Sequence, residues 1–166
     1  RGLVGTPGDA LAEQVEARGL TLLDLGAGIG ANVLELARHC DPVWLVATPE
    51  PTSLADAYAI AKHLWERDPA LRLELVVNRA PDRDAGLRTH RALDRMTSRF
   101  LDRALPLRAI LPDDPAMGRA VVRQTPVLLD EPAAPIARRI RLLAESLVEE
   151  ARLARKRSPD PSDLRI

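Results

Sequence analysis

Four short apolar runs, each followed by a longer stretch with helical spacing, constrain this chain more than any other feature. They cover residues 20–25, 43–47 (VWLVA), 71–77 (LRLELVV) and 107–111. Glycines, prolines or Asp/Asn residues bound each run: Gly19 and Gly26, Thr48-Pro49-Glu50-Pro51, Asn78-Arg79, and Pro112-Asp113-Asp114-Pro115. Runs of this length and purity, closed by turn residues, predict strands buried on both faces. The intervening segments repeat apolar residues three and four apart. Residues 29–40 carry Val33, Leu36 and Ala37 on one side. The next helix takes Ser53 as its cap, with Asp56 three positions later, buries Ala57, Ala61, Leu64 and Trp65, and stops at Asp68-Pro69. A polar loop over 81–86 precedes a helix over 87–105, a short helix spans 117–124, and a long one starts at Pro135. On that last helix Ile136, Ile140, Leu143, Leu147, Ala151 and Ala154 line one stripe.

Alternation at single-crossover spacing predicts an α/β fold, a parallel sheet with helices on both faces. One domain over residues 1–157 is expected, followed by a Pro- and Asp-rich tail, 158–166, that reads as disordered. In such sheets ligands bind beyond the carboxyl ends of the strands, which directs attention to Asp24, Gly26, Gly28, Thr48, Glu50, Asn78, Arg79, Pro112 and Asp113.

Composition narrows the function classes. Lys+Arg and Asp+Glu both number 24, so no overall field draws the chain to nucleic acid, and direct nucleic-acid binding is not expected. Cys40, the only cysteine, excludes an internal disulfide or a multi-cysteine metal site. No stretch reaches the roughly 18 uninterrupted apolar residues of a membrane span. A cytoplasmic location is expected, with a peripheral position at the inner membrane left open. The sequence starts at Arg1 without an initiator Met or a signal-peptide pattern, and it reads as part of a longer protein.

The glycine-rich segment Leu23-Asp24-Leu25-Gly26-Ala27-Gly28-Ile29-Gly30 admits several readings by itself. Glycines after a strand let the backbone turn and approach a ligand, while the following helix start offers unpaired N–H groups. It resembles the Asp-x-Gly-x-Gly turn of class I S-adenosylmethionine-dependent methyltransferases. It also fits the loose dinucleotide fingerprint from Gly26 through Gly28 to Ala31. Both want an acidic residue at the end of the next strand, whereas that strand ends Ala47-Thr48-Pro49 with Glu50 displaced between two prolines.

The following segment discriminates between these readings. Ala47-Thr48-Pro49-Glu50-Pro51-Thr52-Ser53, continuing through Asp56-Ala57-Tyr58-Ala59 to Lys62, resembles the TPEPTS-x-x-DAYA-x-x-K stretch of MinD/ParA-type flagellar number regulators (the FlhG/FleN type). Asp24 to Ile29 upstream is similar to the family's Asp-x-Gly-Ala-Gly-Ile segment. Val76-Val77-Asn78, Pro112-Asp113, Ala120-Val121-Val122-Arg123-Gln124-Thr125-Pro126 and 132–137 follow in family order, with Ala134 in place of the family's usual Ser. The resemblance runs in register from about Gly19 to Leu147.

The resemblance implies a nucleotide switch that binds ATP or ADP with Mg²⁺ and regulates flagellar number or placement. By it Asp24 would organise Mg²⁺ through water and the attacking water, Gly26 would belong to the nucleotide-binding loop, and Gly28 would turn a backbone N–H toward the γ-phosphate. Asn78 and Arg79 would meet the adenine, bordered by Pro112 and Asp113. It also implies partners: a signal-recognition-type flagellar GTPase, flagellar switch proteins, a transcription activator and an ATP-dependent second copy. The family's Lys-Gly-Gly-x-Gly-Lys-[Ser/Thr] loop is not among these 166 residues. That loop supplies both an N–H cradle and a lysine charge, so the chain by itself is expected not to hydrolyse ATP. A pseudo-ATPase interaction module and a methyltransferase-like domain are the alternatives. The three histidines have no metal-ligand spacing. The arginines of the last helix are interrupted by Glu145, Glu149 and Glu150, which favours a core-covering helix over a membrane-binding one.

Overall fold

The computed structural model of the chain describes residues 20–157 apart from 27 and 29. The domain's first nineteen residues and the expected disordered tail lie outside the described residues. At its centre is a three-stranded parallel sheet, β1 (Val43–Ala47), β2 (Leu73–Ala80) and β3 (Leu107–Pro112), laid side by side in chain order. The helices are α1 (Ala31–Ala37), α2 (Pro51–Arg67), α3 (Arg83–Leu101), α4 (Pro115–Val122), α5 (Val127–Asp130) and α6 (Pro135–Arg157).

Local chemistry sets most boundaries. Pro51 opens α2, where its missing N–H is not needed and its fixed φ suits the first turn. Asp68, extended at φ −138° ahead of Pro69, ends it. The helix predicted to begin near Leu87 begins four residues earlier, because Asp82 accepts a hydrogen bond from Ala85 N at 2.6 Å and caps the charged first turn. It closes at Asp102, whose left-handed φ of 55° turns the chain out of the helix. Ser53, expected as a cap, is instead the third residue of α2. Its Oγ accepts from Thr48 N at 3.0 Å and ties the helix to the end of β1.

Strand parity sorts the sheet's two faces. Val43, Leu45, Ala47, Leu73, Leu75 and Val77 join Ala57, Ala61, Leu64 and Trp65 of α2 and Leu93 of α3 in one core. Each large side chain buried there contributes about 1.5–3 kcal/mol. On the other face Trp44, Glu74 and Arg108 form a row across the three strands. Trp44 Nε1 donates to Glu74 at 3.1 Å, and the Arg108 guanidinium lies 5.2 Å from the centre of the Trp44 ring. Arg108 also donates to Glu150 and to Ser146 Oγ of α6, which fastens that helix over this face. Helices therefore cover both faces, as expected. A smaller core of Ala116, Ala120, Val127, Ile136 and Ala137 joins α4, α5 and α6.

One predicted strand is not formed. Residues 20–25 pair with no strand among the described residues; Leu20 and Leu22 are exposed, and only Leu25 packs against the core. The outer edge of β1 is left open among the described residues. Val43 N donates to Arg72 O, so alternate residues of β1 face β2 while the N–H and C=O groups of Trp44 and Val46 point away from it. No described strand takes up that edge, and Val46 in mid-strand is 61% exposed. Apolar composition alone therefore does not make a strand: a ladder must also form, and residues 20–25 form none with β1.

Candidate functional site

The carboxyl ends of β2 and β3 form the best-defined polar corner. The register between the two strands shifts between Leu75 and Val76, and shifts again after Val77 before Ala80 meets Pro112. The second shift centres on Arg79, which holds φ 54°, a left-handed conformation that costs a residue with a Cβ about 1 kcal/mol or more. Two hydrogen bonds hold it there. Arg79 N donates to Asn78 Oδ1 at 2.9 Å, and Asp113 N donates across to Ala80 O at 2.9 Å. The left-handed turn swings the Arg79 side chain toward β3, where its Nε reaches Asp113 Oδ1 at 3.5 Å. Both side chains are more than half exposed, so this pair contributes little to stability and is free to exchange partners. With its oxygen engaged locally, Asn78 keeps its amide N–H groups for a ligand.

The structure thus brings Asn78, Arg79, Pro112 and Asp113 together. It does not join them to the glycine turn. Asp24 Oδ1 accepts from Gly26 N at 3.0 Å, closing a local turn, and Gly26 and Gly28 take φ 71° and 101°. No hydrogen bond or ion pair among the described residues links Asp24 to the Asn78–Asp113 corner. Asp24 is exposed and stands as a lone carboxylate; among the described residues no group of three or more His, Cys, Asp or Glu is placed to hold a metal ion. A single carboxylate fits Mg²⁺ only when phosphate oxygens and water complete its shell.

The end of β1 lies beside that of β2, Ala47 opposite Val77. Thr48 N is held by Ser53 Oγ, while Thr48 Oγ1 is buried without a partner among the described residues. Sequence reasoning placed Thr48 at the ligand-facing edge but gave its hydroxyl no role. It also missed Asp114, whose carboxylate accepts from Ala116 N at 2.9 Å and Ile136 N at 3.2 Å. These two N–H groups hold the Asp114 carboxyl below its ordinary pKa. The Asp114-Pro115 pair is a recognisable helix start, so half of this role was legible.

On the outer side of α4 an open groove of about 460 Å³ is lined by Pro115, Gly118, Arg119, Val122 and Arg123. Its arginines are already paired, Arg119 with Glu131 and Arg123 with Asp130. The pairing with Arg119 lowers the Glu131 pKa and raises that of Arg119. Cys40 is half-buried, which pushes its thiol pKa up, away from thiolate reactivity. Among the described residues no helix is long and apolar enough to cross a membrane.

Comparison with known proteins places this geometry in context. The chain is 36% identical over 106 residues to the antiactivator FleN of Pseudomonas aeruginosa, a match covering 64% of this chain and 38% of FleN. It is 26% identical over 141 residues to an uncharacterised ATP-binding protein of Methanocaldococcus jannaschii, covering 83% of this chain and 50% of that protein. Among solved structures, the MinD cell division protein of Aquifex aeolicus superposes with a TM-score of 0.54 at 22% identity, over 74% of this chain and 50% of MinD. That likeness establishes a MinD-like α/β fold. The matches thus span half or less of each relative's length, and no family model matches the chain.

Proposed function

Because the chain belongs to the MinD/ParA-type family and is FleN-like within it, representing part of the family fold, we propose that it is the base-binding and helical portion of a nucleotide switch acting in flagellar number control. The observation that carries this reading is the Asn78–Arg79–Asp113 corner. A left-handed arginine and a carboxamide whose N–H groups are unengaged among the described residues stand side by side at the strand ends, the carboxamide oxygen accepting from Arg79 N. An adenine edge needs a donor and an acceptor in one plane, and an arginine beside it supplies stacking. The name of one relative, an ATP-binding protein, and the name of the other, an antiactivator, agree with nucleotide binding and with a transcription regulator as a partner.

In the whole protein ATP and Mg²⁺ would occupy the ground between Asp24 and this corner. Asp24 would hold the metal through water, and the Gly26–Gly28 turn would sense the γ-phosphate. The flagellar GTPase, switch proteins and an ATP-dependent second copy remain partners of the whole protein in this reading. The lysine-bearing glycine loop is not among these 166 residues, so in this reading the chain by itself is expected not to hydrolyse ATP. A second reading, an interaction module that works without nucleotide, draws on that same missing loop and on the groove of α4.

Millimolar ATP or adenosine, titrated into the isotope-labelled chain, tests the proposal. Shifts of the backbone resonances of Asn78, Arg79, Ala80 and Asp113, lost in Asn78→Ala, are expected. Shifts confined to residues 24–30 with S-adenosylmethionine, and none with adenosine, would favour the methyltransferase-like alternative. Silence with both ligands would favour the interaction module.

A further inference from the structure

Asp114 places its two carboxylate oxygens on two different helices. Oδ1 accepts from Ala116 N at the start of α4, and Oδ2 accepts from Ile136 N in the first turn of α6, 22 residues further along the chain. The first amides of a helix need acceptors from outside it. Helix α4 obtains one from its own preceding residue. Helix α6 has no such residue: the carbonyl of Ala134 accepts the first helical bond from Arg138 N at 3.0 Å, but alanine has no side-chain acceptor to return. Asp114 fills that place from a distance.

The position of this carboxylate in the chain makes it more than a cap. It follows Asp113 directly, whose N–H is bonded to Ala80 O and whose side chain meets Arg79. One dipeptide therefore carries both the polar corner and the starts of two helices. We infer that Asp114 is the positioning residue of this corner: its carboxylate locks the 112–113 turn to α4 and α6 together, so that the corner and both helix starts open as one unit. Calling the corner a base site rests on the function proposed above; the mechanical coupling does not. A ligand that drew Arg79 away from Asp113 would then be felt on the outer side of α4, where Val121 and Val122 are 68% and 84% exposed.

Amide hydrogen exchange on the ligand-free chain tests the coupling in three proteins: the wild type, Asp114→Asn, and Asp114→Asn with Ala134→Ser. Asparagine has nearly the same shape but one acceptor oxygen, so whichever way it turns, one helix start loses its partner. Exchange at Ile136 or Ala116 is expected to rise about fivefold, the scale of a lost cap, and the Asp113 amide should rise by a similar factor. Serine at position 134 gives α6 a cap of its own. It should restore Ile136 and leave Asp113 fast, because the tie to the turn is still broken. The inference is overturned if Asp113 keeps its wild-type rate while a helix start speeds up, if Ala134→Ser restores Asp113 as well, or if no amide responds. A failure of adenosine to bind would leave these rates unchanged and would count only against the nucleotide reading.

Discussion

Gly86 and Gly118 both sit inside helices, and alanine should act on them in opposite directions. In α3, a Cβ built on Gly86 would lie 2.5 Å from Ile110 Cγ2, 2.9 Å from Cδ1 and 3.1 Å from Cγ1. In α4, a Cβ on Gly118 meets nothing within 4 Å. Alanine gains about 1 kcal/mol over glycine in a helix interior at either place. At Gly118 that gain stands nearly alone, and Gly118→Ala should stabilise by about 0.5–1 kcal/mol. At Gly86 it is opposed by overpacking, typically about 1–3 kcal/mol. The nearest atom, Cγ2, is bonded directly to the Ile110 Cβ and cannot swing aside without a new χ1 or a shift of β3 against α3. The cost should therefore exceed the gain, leaving Gly86→Ala destabilised by about 0.5–2 kcal/mol. Urea denaturation followed by tryptophan fluorescence measures both variants, and unchanged m-values confirm that the midpoints report stability. Ile110→Ala removes all three opposing atoms, so in the double variant Gly86→Ala should change from harmful to neutral or better. Equal stabilisation by Gly86→Ala and Gly118→Ala in the wild-type background would refute the packing argument.

Leu75 is completely buried in the middle strand, so Leu75→Ala should lower stability by about 2–5 kcal/mol in the same urea assay. Asp114→Ala removes both caps and should cost about 1–2 kcal/mol near neutral pH. Because its folded-state pKa lies below the ordinary 3.8, this contribution is present above that value. It disappears as pH falls through 3.8 toward the folded-state pKa, so wild type and variant should converge in acid unfolding and nowhere else. Val46→Lys places a charge on the exposed face of β1 and should change stability by less than about 0.5 kcal/mol. If copies of the chain pair through this edge, sedimentation should show weaker concentration-dependent association for Val46→Lys than for wild type, since edge lysines discourage strand pairing; equal association would show that this edge is not the contact.

Much of the sheet was legible because its strands are short, mostly apolar runs closed by turn residues, although one face carries Trp44, Glu74 and Arg108 and leaves Val46 exposed. The expected run 43–47 matches β1 in both bounds, and Leu107 opens β3 as expected. Residues 20–25 have equally strong composition, yet composition cannot report whether a neighbouring ladder exists. The start of α3 was obscured because Arg83 and Asp84 read as loop, although Asp82 caps the helix through Ala85. At the site, the alignment of family motifs gathered Asn78, Arg79, Pro112 and Asp113, and the structure brings these four together. Nothing in the sequence marks Arg79 as left-handed, since that conformation follows from bonds to Asn78 and across Ala80 to Asp113. The second oxygen of Asp114 was equally hidden, because its partner is far along the chain.

The chain-order arrangement of the sheet bears on how the molecule comes together. Val43 lies opposite Leu73 and Val76 opposite Ala109, so the strand partners are separated by only 30 to 33 residues. Loop-closure entropy rises with the logarithm of length, and folding rates fall as contacts become less local. Each crossover is a closure of moderate span, and neither waits for any residue before β1. On a ribosome, β1 through β3 and their helices can therefore associate in the order in which they emerge. A strand arriving at the outer edge of β1 would meet a template already built.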